Sequence, residues 1–180
     1  MNLNWIDPKP ISDRDDSTRG VNTPPETIAD DFLNDHDPLG TPKLSNSSVP
    51  WPGSTFIIRC AITGKVITLV DGKIIIAPPG GRGAIYWACI ETKGWYGFRE
   101  INSGRFLGHD KNGYLCCRAE RQQGWENFCV RMTPEGGYVL LMTHWERLWH
   151  VGPKMDKGVE MLVKVGEKMA DGMLWEFVKV

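Results

Sequence analysis

The chain has 180 residues, of which 41% are hydrophobic and 24% charged, which fits a folded globular protein and excludes a chain too polar to build a core. With 21 Lys+Arg against 22 Asp+Glu the net charge is -1, which excludes a strongly basic nucleic-acid binder. No run approaches the roughly 20 apolar residues of a membrane span, and Met1–Asp7 lacks the basic and apolar pattern of a secretory signal.

The charge is unevenly placed. Residues 1–53 hold nine acidic and four basic groups, a balance of -5, whereas residues 54–180 hold 17 basic and 13 acidic groups, a balance of +4. The first stretch is rich in Pro, Asp and Ser and poor in hydrophobic periodicity, so it reads as an N-terminal extension ahead of a domain spanning 54–180. Within it Thr23-Pro24-Pro25-Glu26 forms a capping-box pattern that predicts a short helix near 24–34. Ile28, Phe32 and Leu33 share one face of that helix and need a cover, either the chain's own domain or a partner.

From Ser54 onward the helix signals vanish, and short β-type runs alternate with Gly, Asn, Asp and Pro. The runs recur. Units begin at Phe56-Ile57-Ile58-Arg59, Tyr96-Gly97-Phe98-Arg99 and Tyr138-Val139-Leu140-Leu141. Each continues through a polar turn and a strand: Thr63-Gly64-Lys65-Val66, Asn102-Ser103-Gly104-Arg105-Phe106-Leu107, and Thr143-His144-Trp145-Glu146-Arg147-Leu148-Trp149. A second hairpin turns at Asp71-Gly72, at Asn112-Gly113 and around 154–158. Each unit closes on a Trp: Trp87, Trp125 and Trp175.

Four strands in each of three units predict an all-β, twelve-stranded β-trefoil, since a unit this small cannot bury its own apolar face. The expected core is Phe56, Ile58, Ile67, Ile76, Trp87, Phe98, Leu107, Leu115, Trp125, Phe128, Leu140, Leu148, Trp175 and Phe177, with Trp149 also inward by its alignment with Leu107.

The run Asn102-Ser103-Gly104-Arg105-Phe106-Leu107, with Asn112-Gly113, Arg118-Ala119-Glu120 and Trp125-Glu126-Asn127-Phe128-Cys129-Val130, resembles the repeat of fascin-like β-trefoil domains. The third unit keeps Trp175-Glu176-Phe177-Val178, and the first keeps little beyond Gly64-Lys65 and Trp87. The resemblance covers about 54–180 and implies a single trefoil that binds a protein partner, actin by analogy. Ricin-type trefoil lectins carry Gln-x-Trp in each unit, and here only Gln123-Gly124-Trp125 fits.

Catalytic patterns are sparse. Gly80-Gly81-Arg82-Gly83 lacks the ending of a P-loop, no metal-ligand spacing is present, and no cofactor is expected. A two-residue turn at Asn112-Gly113 would set His109 opposite Cys116, where a His could activate a thiol. His144 and His150 are the other candidate acid or base groups. Trp145 sits in a turn where it has no core to fill, and with Trp95, His144 and Arg147 it forms the expected ligand or partner surface. Cys60, Cys89, Cys116, Cys117 and Cys129 contain no CxxC pair and read as free thiols of a reducing, cytoplasmic compartment. The first functional expectation is an intracellular binding module, monomeric or weakly dimeric, for a protein or a small apolar ligand, with no nucleic acid and no membrane. The second is a small enzyme using an aromatic, His-containing pocket for acid/base chemistry on an apolar substrate. The third is a carbohydrate-binding lectin.

Overall fold

The protein, as a computed structural model, is described over residues 47–168 and 172–180. The expected helix near 24–34 and its docking residues Ile28, Phe32 and Leu33 lie outside the described residues. Twelve strands follow: β1 (Thr55–Cys60), β2 (Val66–Val70), β3 (Lys73–Ala77), β4 (Tyr86–Thr92), β5 (Trp95–Glu100) and β6 (Phe106–His109). Then come β7 (Leu115–Ala119), β8 (Phe128–Met132), β9 (Tyr138–His144), β10 (Arg147–Asp156), β11 (Val159–Gly166) and β12 (Leu174–Lys179). Among the described residues the one helical element is a 3-10 turn, Gly124–Glu126, between β7 and β8.

The pairings close on themselves. β1 pairs β4, β4 pairs β5, β5 pairs β8, β8 pairs β9, β9 pairs β12, and β12 returns to β1. A closed ring leaves no unpaired edge, which removes the usual template for aggregation. The hairpins β2–β3, β6–β7 and β10–β11 stand off the ring and meet through Met161↔Ile75, Lys73↔Cys116 and Tyr114↔Val163. Two of their turns use a left-handed residue followed by Gly, Asp71-Gly72 and Lys157-Gly158, as a type I′ hairpin requires.

Alternation along the strands points one side chain in two inward, and those side chains fill the ring. Phe98 meets Phe128 edge-on at 5.3 Å, and Phe56 meets Phe177 at 5.7 Å. Trp87 is fully buried and satisfies its indole N–H by donating to the Ile67 carbonyl at 3.2 Å. Each such side chain contributes roughly 1.5–3 kcal/mol by area transfer. Sheet bonding also reaches back into 47–53: the Ser48 N–H donates to the Phe177 carbonyl, and the Gly53 N–H donates to the Cys89 carbonyl.

Three expected core positions are corrected. The pairs Phe56↔Trp87, Tyr96↔Phe128 and Tyr138↔Trp175 occupy matching places in the ring. Phe128 therefore fills the slot that Trp87 and Trp175 fill elsewhere, and Trp125, three residues earlier, is 53% exposed on the 3-10 turn. Leu148 and Trp149 are half-buried, and Val151 is the β10 side chain that joins the core instead.

The expected His109–Cys116 pair is also corrected. Asp110 N–H donates to Tyr114 O, and Asp110 Oδ1 accepts from the N–H groups of both Asn112 and Tyr114. The loop is thus Lys111-Asn112-Gly113, three residues rather than two, and the extra residue slips the register so that His109 faces Leu115 and Cys116 faces Gly108. Burial raises the Cys116 thiol, with Arg118 opposing, so the chemistry expected of an activated thiol has no support there.

Candidate functional site

Four separate elements build one cleft. His109 ends β6, Trp125 sits on the 3-10 turn, Thr143 and His144 end β9, and Lys164 projects from β11. With Trp145 they line a cleft of about 400 Å³. Both of its tryptophans are exposed, Trp125 at 53% and Trp145 at 92%. Trp145 also carries a left-handed φ of +54° in the turn joining β9 to β10, a conformation costly for a bulky residue. Strain of this kind persists where the surrounding structure enforces it, and it clusters at functional sites.

The floor is a hydrogen-bonded chain. Lys164 Nζ donates to the Thr143 carbonyl at 3.0 Å and lies 3.1 Å from His109 Nε2. Thr143 Oγ1 donates to the Gly124 carbonyl at 3.0 Å, tying β9 to the turn that carries Trp125. His109 Nδ1 lies 2.8 Å from the Asp110 carbonyl, which can only accept, so Nδ1 holds the proton and Nε2 accepts from Lys164. Burial lowers the His109 pKa, the Asp110 carbonyl opposes, and the Lys164 charge lowers it further. Burial likewise lowers the Lys164 pKa. Two of the three Lys164 donors are used, which leaves one for a ligand.

Trp125 is held by its neighbours on one side. The His109 ring stacks against it at 5.1 Å and 26°. Gly108 makes this close approach possible, since a Cβ there would come within 2.8 Å of Glu126 Oε1. Glu126 anchors the turn by accepting from the Gln123 N–H at 3.1 Å; burial raises its carboxyl pKa while that bond lowers it.

A second cleft, of about 420 Å³, shares His144 and Trp145 with the first and adds Arg147, Trp149 and Glu167. The His144 ring stacks on Trp149 at 3.6 Å, which explains why Trp149 stays half-buried. Arg147 pairs with Glu167 at 2.7 Å, and that hydrogen bond first of all holds the Glu167 carboxyl below its ordinary range. Both side chains are exposed, so the pair contributes little stability but fixes the wall.

Of the residues expected at a ligand or partner surface, His144, Trp145 and Arg147 therefore come together. Trp95 lines neither cleft; its carbonyl instead accepts from Gln122 Nε2 at 3.1 Å. His150 is buried on β10, its ring against Gly172 and its Nδ1 3.3 Å from the Gly166 carbonyl, so it does not join His144. Neither cleft holds Cys116. Trp125, Thr143 and Lys164 were missed as site residues. The signal for Trp125 was Phe128 three residues on, competing for one core slot. The signal for Lys164 was a single cation within the apolar run Met161-Leu162-Val163-Lys164-Val165.

No protein-family model and no curated protein matches the chain. Solved structures do. The ricin B-like lectin of Macrolepiota procera, in complex with lactose, superposes with a TM-score of 0.59 at 15% identity, covering 72% of this chain and 98% of the lectin. The BEL β-trefoil superposes with a TM-score of 0.58 at 14% identity, covering 74% and 97%. The GlcNAcα1-4Gal-releasing endo-β-galactosidase of Clostridium perfringens gives 0.57 at 14% identity over 71% of this chain, which spans only 32% of that enzyme. At such identities the likeness shows the fold, which is β-trefoil-like. The features specific to fascins find no support in it.

Proposed function

We propose that the chain is a carbohydrate-binding module, with the cleft between Trp125 and Trp145 as the sugar site. One observation carries this reading. Two exposed indoles, one of them strained, flank a cleft whose floor presents a fixed ammonium. A pyranose has that same mixed character: apolar C–H faces that stack on indole, and a rim of hydroxyls that need donors and acceptors. Lys164 supplies the donor, and His144 a ring nitrogen at the rim. A cleft of about 400 Å³ suits a sugar of one or two rings. The lectin likeness in fold agrees with this reading. Three superposable units are part of the same proposal, the Trp125 site belonging to the second and the Trp145 turn to the third. The free thiols fit an intracellular setting. The actin-like partner rests on the motif resemblance of the second unit alone.

Calorimetric titration with a panel of neutral mono- and disaccharides, lactose included, tests the reading. At least one sugar should bind saturably, and Trp125→Ala and Trp145→Ala should each weaken it roughly tenfold, about 1.4 kcal/mol. No saturable binding across the panel, or binding indifferent to both substitutions, would sink it.

A further inference from the structure

Trp125 is a ridge and not an end wall. On its other flank lies a broader depression of about 860 Å³, which shares Gly124 and Trp125 with the sugar cleft. Its character is different. Arg105, Arg118 and Arg121 line it, and none of them forms an ion pair among the described residues. All three are exposed.

The backbone puts them there. Phe106 pairs with Ala119 and Leu107 with Cys117, so Arg118 is the extra residue of a bulge in the β6–β7 hairpin. Bulges re-aim side chains, and this one turns a cation toward the mouth of the depression beside Arg105, whose carbonyl accepts from Cys117 Sγ at 3.3 Å. Arg121 lies two residues beyond the end of β7. Two carboxylates share the depression, Glu120 and Glu126; Glu126 is buried and already engaged with the Gln123 N–H. Exposed guanidiniums gathered beside an aromatic ridge suit a planar or tetrahedral oxyanion, which they can grip with paired N–H donors.

We propose that the ligand is an acidic oligosaccharide, in which the sugar stacked at Trp125 is followed by one bearing a sulfate or carboxylate that Arg105, Arg118 and Arg121 hold. This rests on the sugar reading of the Trp125–Trp145 cleft. It extends that site from one ring to a chain running over the Trp125 ridge, and it turns a neutral-sugar site into one selective for charge.

The test uses the full chain in calorimetry at physiological salt, where long-range attraction between exposed charges is largely screened. The probes are heparin and chondroitin sulfate hexasaccharides, each also desulfated, and each also desulfated with its carboxyls reduced. At least one acidic form should bind about tenfold or more tighter than its neutral counterpart, the gain expected of charge-assisted bonds. The selectively desulfated form shows whether sulfate or carboxylate carries the gain. The triple change Arg105→Gln, Arg118→Gln, Arg121→Gln should abolish that gain and leave the neutral form's affinity unchanged. Lys93→Gln, Arg131→Gln, Lys179→Gln, an equal loss of charge elsewhere, should leave the gain intact. Trp125→Ala should weaken both forms. Equal affinity for acidic and neutral forms overturns the inference while the sugar reading stands on its own panel. So does an equal effect of the two triple variants, or acidic binding that survives Trp125→Ala. A single-stranded oligonucleotide that binds as tightly and is lost with the same arginines also overturns it, in favour of a general polyanion site. No binding of any neutral sugar removes the sugar reading itself.

Discussion

His109 shows how one residue couples the site to the solvent. Its Nδ1 proton is committed to the Asp110 carbonyl, and its Nε2 lone pair faces the Lys164 ammonium. Protonation would set a second N–H against that ammonium. Burial disfavours the cation most, Lys164 and His144 add to that, and only Asp110 beside it opposes them. The folded pKa is therefore lower than the ordinary His value of about 6.5. As pH falls through that value the unfolded chain takes up the proton first, so stability drops, and it levels off only below the lowered folded pKa. Sugar affinity should fall at lower pH, as the folded His109 itself takes up the proton and the Lys164 contact breaks. His109→Gln should flatten both profiles, as followed by urea midpoint and titration between pH 7.5 and 4.5. Unchanged slopes in the variant would show that other groups set the dependence. Glu126 moves oppositely: its raised pKa means acidification relieves it, so it cannot mimic this loss.

At the scale of elements, the site depends on how closely the 3-10 turn approaches β6. Gly108 has an ordinary strand conformation, so its role is space and not backbone freedom: a Cβ would press on Glu126 Oε1 at 2.8 Å and on the Trp125 carbonyl at 3.0 Å. Gly108→Ala should lift the turn, weaken the His109–Trp125 stack, and reduce sugar affinity about tenfold. The cost in stability should be roughly 1–3 kcal/mol, in the range of overpacking. A crystal structure or the Trp125 fluorescence of the variant would reveal the displaced turn; an unmoved turn with full affinity would refute the spacing argument. This scale also explains where the sequence could be read. Hairpins marked by Asp71-Gly72 and by the Gly turns appear because those turns have one geometry. The His109–Cys116 pair failed because Asn112-Gly113 fits both a two-residue and a three-residue loop, and the Asp110 side chain, bonding to two backbone N–H groups, selects the longer. His144, Trp145 and Arg147 were legible because a local turn assembles them. Lys164 was not, since its partners His109 and Thr143 are brought to it only by closure of the whole ring.

For the whole molecule, the ring of pairings sets one large aromatic at each of three matching places, and it decides which tryptophans are structural. Trp87, Phe128 and Trp175 are fully buried, while Trp125 stands outside. Alignment by residue type placed Trp125 with the other two; the register Tyr96↔Phe128 shows that position within the ring governs. Two substitutions a few residues apart should then behave as if in different proteins. Phe128→Ala removes a ring packed at 5.3 Å on Phe98 and opens a cavity in the shared core. Such changes cost about 3–5 kcal/mol, a large share of the roughly 5–15 kcal/mol that holds a domain folded. Trp125→Ala removes a half-exposed ring whose stack on His109 contributes about 0.5–1.5 kcal/mol. In urea denaturation Phe128→Ala should therefore shift the midpoint far more than Trp125→Ala, whereas in titration only Trp125→Ala should lose sugar at temperatures where both remain folded. Equal destabilisation by the two would mean that Trp125 still serves the core, and the division between the ring that holds the fold and the indole that meets the ligand would fail.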